Sequence, residues 1–178
     1  MSDDPLAATR QWLERAVIGL NLCPFAKTVY LKQQVRITLS DATTPDALLE
    51  ALGVELLLLR DTPAEQIDTT LLVHPQVLCD FLDYNDFLDQ ADALVEALAL
   101  DGVLQVASFH PDYQFAGSES DDVENFTNRA PYPTLHLLRE DSVARAVAAF
   151  PDPDAIVERN IETVRQLGRD GWKKLMQP

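Results

Sequence analysis

The residue types best suited to chemistry gather in one stretch of this chain. Residues 108–140 (SFHPDYQFAGSESDDVENFTNRAPYPTLHLLRE) hold His110 and His136, two of the three histidines, together with Arg129, Asn128, Tyr113, Phe115 and Tyr132. Imidazoles exchange protons near neutral pH and bind transition metals through a neutral nitrogen, and a guanidinium fork matches a carboxylate or phosphate. A polar loop carrying these groups between two apolar, strand-like runs has the character of a site held at the rim of a rigid scaffold.

Two further residues belong with this stretch. His74 ends the run LLVHP as His110 ends ASFHP, with Pro75 and Pro111 stopping each strand. If the strands before these prolines lie parallel in one sheet, both imidazoles reach the same edge, and a returning strand brings His136 toward it. Cys23 precedes Pro24; with the proline as first helical residue, the thiol stands at the N-cap, where free amides favour a thiolate. The expected catalytic set is His110 as acid/base, Cys23 as nucleophile and His136. Arg129 is the anion clamp, and Asn128, Tyr113 and Tyr132 are ligand-binding. The cofactor these imidazoles would hold is a transition metal on His74, His110 and His136, although neither HExxH nor a spaced Cys/His quartet is present.

Each reading has a plainer counterpart. A histidine at a strand end is commonly a hydrogen-bonded boundary residue, and His136, between Leu135 and Leu137, fits a satisfied core position. Cys23, between Leu22 and Pro24-Phe25, fits an inert apolar thiol, and Cys79, beside Leu78, a core one. Arg129 has Glu119, Asp121, Asp122 and Glu124 near it in sequence as ion-pair partners, and the aromatics serve equally as anchors of a long loop.

The elements that must position these groups follow from periodicity. Asp3, Asp4 and Pro5 start a helix whose apolar positions are Leu6, Leu13, Val17 and Leu20; it is interrupted near Gly19. A short helix follows Cys23-Pro24. Alternation predicts a strand over 35–41, and Thr44-Pro45-Asp46 caps a helix running to Leu59. A second strand spans 67–74, a helix 77–100 ends before Gly102, and strands follow over 103–110 and 134–139. Helices over 141–150 and 153–175, separated by PDPD, finish the chain. The order predicts an α/β or α+β fold, a mixed sheet of about four strands covered by helices with helices at both ends, within one domain over 1–178.

Composition excludes several classes of function. Fourteen basic residues against 29 acidic give a formal charge of −15, a field that repels nucleic acid and anionic lipid. No run approaches the roughly eighteen apolar residues of a membrane helix. The acidic start MSDDPLAATR lacks the basic flank and apolar core of a secretory signal, so a cytoplasmic location with reduced cysteines is expected. The expected partner is a small-molecule ligand, with no nucleic acid or membrane; the sequence leaves the oligomeric state open.

The strings GLNLCPFA at 19–26, FHPDYQFAG at 109–117 and NRAPYPTLHLLRE at 128–140, with the tryptophan-bearing first helix, resemble the bacterial and plant family known as domain of unknown function 1415. The resemblance covers nearly the whole chain and implies a compact cytoplasmic protein; it names no substrate. Residue chemistry therefore carries the functional expectation: a small enzyme with one His/Cys/Arg pocket acting on a small anionic substrate. The alternative is a non-catalytic protein binding a metal or small ligand at the same site.

Overall fold

The computed structural model describes residues 4–150 and 152–177; Asp3 of the predicted first cap and Pro151 of the PDPD turn lie outside the described residues. The chain runs through α1 (Pro5–Trp12), α2 (Ala26–Leu31), β1 (Val35–Leu39), α3 (Pro45–Asp61), β2 (Thr69–Val73), α4 (Phe81–Ala97), β3 (Leu104–Phe109), β4 (Thr134–Arg139), α5 (Glu140–Ala148) and α6 (Pro153–Met176). A 3-10 helix, Val123–Asn128, interrupts the loop between β3 and β4, and α1 passes directly into a π-helical stretch, Leu13–Ile18. This is an α+β fold built on a mixed four-stranded sheet.

Local chemistry sets most boundaries. Asp4 accepts the amide of Leu6 at 3.0 Å and Pro5 opens α1, Thr44 caps α3 through the amide of Ala47, and Asp80 caps α4 through Leu82 and Asp83. The Asp80 cap, preceded by Leu78 at φ 57°, delays α4 to Phe81, four residues later than the apolar spacing predicts. Gly168, at φ 65° and ψ 177°, breaks the long final helix. That conformation is essentially reserved for glycine, so the residue sets the direction of the last two turns.

The strand order is β1-β2-β4-β3, with β1 parallel to β2 and β4 antiparallel to both of its neighbours. Strands β2 and β3 thus point the same way, as their helical crossover predicts, but β4 lies between them. Strand period then divides the core. Leu72, Leu104, Leu135 and Leu137 face α3 and α4, whose Leu48, Leu52, Leu56, Leu59, Tyr84 and Phe87 form the larger buried cluster. Leu71, Val35, Ile37 and Phe109 face Trp12, Leu13 and Ala16 on the other side. Each fully buried leucine contributes about 2 kcal/mol of transfer free energy, so the two apolar faces fix the register. Among the described residues no helix is long and apolar enough to cross a membrane.

Candidate functional site

The carboxyl ends of β2 and β3 bring His74 and His110 together, where the main chain engages both ring nitrogens of His110 and Nδ1 of His74, leaving His74 Nε2 buried without a partner. His74 donates from Nδ1 to the carbonyl of Val77 at 3.0 Å and stacks on Tyr84 at 5.8 Å. His110 donates from Nε2 to Leu78 O at 3.1 Å, accepts the amide of Asp112 on Nδ1 at 3.0 Å, and lies 5.0 Å from the Tyr84 ring. Their backbone amides reach across the rim to Pro133 O and Asn128 O. Both side chains are fully buried. Burial pushes the His74 imidazole down to about 4, with the neighbouring His110 acting in the same direction against the Val77 hydrogen bond. Burial also lowers His110, against the Leu78 hydrogen bond and the charges of Asp112 and Asp80.

His110, expected as acid/base, has both ring nitrogens engaged with the main chain. The expected metal trio is corrected: His74, His110 and His136 do not come together. His136 sits in mid-strand between Leu71 and Ala107, and the strand alternation turns it to the opposite face of the sheet. Among the described residues no group of three or more His, Cys, Asp or Glu side chains is placed to hold a metal ion.

On that opposite face His136 lines an apolar cavity of 320 Å³ between the sheet, the α1–α2 segment and α5, with Trp12, Phe25, Val29, Phe109 and Val143 among its walls. Its Nε2 lies 2.7 Å from Thr69 Oγ1, which donates its single proton to Leu137 O at 2.7 Å. The hydroxyl can therefore only accept from the ring, which fixes the Nε2–H tautomer and leaves Nδ1 as a lone-pair acceptor. Among the described residues Nδ1 makes no hydrogen bond, and the ring borders the cavity. Desolvation pushes this imidazole down to about 4, which keeps it neutral at ordinary pH. Asp68 and Ser142 also line the cavity, but Ser142 donates to Asp68 at 2.7 Å, so no Ser-His-Asp relay is formed.

Cys23 stands at the same cavity. The helix after it begins only at Ala26, with Phe25 in the cap position, and the carbonyl of Cys23 accepts the Ala26 amide; the expected N-cap thiol is thus corrected. The half-buried side chain lines both the His136 cavity and an adjoining one of 610 Å³ formed with Asn128, Asn160, Thr127 and the 115–118 loop. Asn125, fully buried, holds that loop by accepting from Phe115 N and Ser118 Oγ and donating to Glu119 O. Cys79, expected in the core, is exposed.

Arg129 lies elsewhere. It donates to Tyr113 O at 3.2 Å and Ser120 O at 2.6 Å, sits 5.0 Å over the Phe126 ring, and lines a separate depression with Arg169, Trp172 and Lys173. It pairs with none of the four acids near it in sequence. Asn128 donates to Ser108 O and accepts from Thr127, facing the cavity of Cys23. Tyr113 packs against Phe81 and Phe115 as a loop anchor, and the carbonyl of Tyr132 accepts the Thr134 hydroxyl. The single His/Cys/Arg pocket expected from the sequence is therefore divided into three places: a sealed rim, a cavity shared by Cys23 and His136, and a cationic depression. Thr69, Asn160, Arg169 and Lys173 were not singled out by sequence reasoning. Asn160 and the two cations lie on a helix whose periodicity signals packing alone.

Fold and site together define a small α+β protein with an apolar cavity against one face of its sheet. The chain belongs to the family described as Protein of unknown function (DUF1415), whose model matches residues 4–174. No curated protein and no solved structure matches the chain.

Proposed function

We propose that the cavity of Cys23 and His136 takes up a small, mostly apolar molecule bearing one hydrogen-donating group, and that His136 Nδ1 accepts that hydrogen. The supporting observation is the tautomer: Thr69 uses up Nε2 and leaves a neutral acceptor among apolar walls. An unpaired acceptor in such surroundings strengthens the attraction for a donor and penalises a ligand that lacks one. A neutral imidazole so placed is also equipped to remove a proton, and general-base assistance is worth about 10²- to 10⁴-fold in rate. Cys23, at the junction with the adjoining polar cavity, supplies the nucleophile of an enzymatic reading. Its lack of a hydrogen bond to His136 favours simple binding as the second reading.

Phenol and toluene, equal in shape and differing in a donor, test the proposal by calorimetric titration. Phenol is expected to bind at least about tenfold more tightly, and His136→Phe to abolish the difference. Equal affinities in the wild-type protein would refute it. The catalytic reading is tested with 4-nitrophenyl butyrate in a Cys79→Ser background, which silences the exposed thiol. A stoichiometric burst of nitrophenolate that Cys23→Ser removes and His136→Gln slows about 100-fold supports an acyl-enzyme; release unaffected by Cys23→Ser leaves binding without turnover.

A further inference from the structure

The cationic depression runs against the charge of the whole molecule. In a chain of net charge −15, Arg129, Arg169 and Lys173 line one hollow of 470 Å³, and Asp121 is the single carboxylate among its lining residues. Asp121 is already held by Arg169 at 2.8 Å. That pair is half-exposed or more on both sides and contributes little, so an incoming anion displaces it at small cost. The Lys173 ammonium makes no hydrogen bond or ion pair among the described residues.

Arg129 is the more telling group. It is half-buried and held in place by two backbone carbonyls, with no carboxylate at ion-pair distance among the described residues. Loss of water works against its protonated form; the charge of Asp112 favours that form, and the charge of Arg169 opposes it by less. A guanidinium held partly out of water, with no carboxylate in contact, gains from an anion that pairs with it directly. The break at Gly168 directs the segment carrying Arg169, Trp172 and Lys173 onto the 3-10 helix, where Trp172 stacks on Phe126 at 5.3 Å. The carbonyls ending α6, which would repel an anion, are occupied by Gln11 and Arg15. Pro111, Ala130 and Pro131 complete an apolar floor.

We infer that this hollow is an anion-binding site, separate from the cavity of Cys23 and His136, for a small molecule joining a phosphate or carboxylate to a flat apolar body. Arg129 and Lys173 hold the charged group, Arg169 exchanges Asp121 for it, and the apolar part lies on Trp172 and the proline floor.

Phenyl phosphate, benzoate and neutral benzyl alcohol serve as probes, read by the fluorescence of Trp172 in a Trp12→Phe background. Saturable quenching is expected from both anions, weakening as ionic strength rises from about 0.02 M to about 0.5 M, with none from the alcohol. Lys173→Glu, on the protein surface, is expected to weaken phenyl phosphate at least about tenfold, and Arg129→Met to do the same if it folds. Should Trp12→Phe disturb folding, the wild-type protein is read by amide chemical shifts of residues 169–176. Quenching or shifts equal for all three probes, or affinity unchanged in Lys173→Glu, would overturn the inference. Neither result alters the phenol–toluene comparison at His136, so the two sites stand or fall separately.

Discussion

Lowering the pH from neutrality to about 4.5 is expected to remove about 5 kcal/mol of stability, most of it through two histidines. His74 and His136 are both held near 4 in the folded protein, against an ordinary value of 6.5, because burial penalises the imidazolium. A folded pKa below the unfolded one means that the unfolded chain binds the proton first. Stability is therefore complete above about pH 6.5 and drains away as pH falls from there toward 4. Each histidine supplies about 1.4 kcal/mol per pH unit across that window, or roughly 2 to 3 kcal/mol by pH 4.5. His110 adds in the same direction. Urea midpoints measured from pH 7.5 to 4.5 check this. His136→Gln, whose amide still reaches Thr69, and His74→Asn, whose amide still reaches Val77, should each remove about half of the slope. A wild-type midpoint that holds steady between pH 6.5 and 4.5 contradicts the proposed burial of neutral rings.

The same histidines show what the sequence makes legible and where its information stops. The parallel direction of β2 and β3 follows from the helix joining them, and His74 and His110 do meet at one edge. Strand order does not follow from pattern: neighbours in sequence are the natural first guess, yet β4 returns between the two. The run TTLLV, buried at every position, marks β2 as central without saying which strand lies beside it. The alternation Leu135, His136, Leu137 does encode that the imidazole opposes the leucines. Which face the leucines take depends on α3 and α4, whose long apolar stripes claim them. Cys23-Pro24 reads as a helix start, but the chain uses two more residues in a turn before Ala26. The anion hollow was least legible of all. Arg169, Trp172 and Lys173 read as one amphipathic helix with residues 153–167, because a glycine inside a helical pattern is ordinarily tolerated at about 1 kcal/mol. The break at Gly168 separates them, and it appears only in the backbone angles.

Replacing Tyr84 by Phe is expected to cost about 4 kcal/mol, far more than the loss of one hydroxyl on a surface. Tyr84 is fully buried on α4, and its hydroxyl donates to Thr134 O at 2.8 Å while accepting the amide of Phe109 at 3.1 Å. Those two backbone groups lie opposite each other where β3 ends and β4 begins. The phenol oxygen thus completes the ladder at the point where the chain turns away toward His110. Without it, the half-buried amide of Phe109 and the buried carbonyl of Thr134 lose a partner together, at about 1 to 3 kcal/mol each. His74 and His110 both pack on the same ring, which Phe preserves, so the damage should be confined to hydrogen bonding. Thermal unfolding of the variant checks the magnitude. Hydrogen exchange checks the cause: the amide of Phe109 should lose protection first, while those of Leu71 and Leu72 in the middle of β2 keep theirs up to global unfolding. A variant as stable as the wild type would show that water takes over both partners and that the sheet edge beside the histidines is open to solvent.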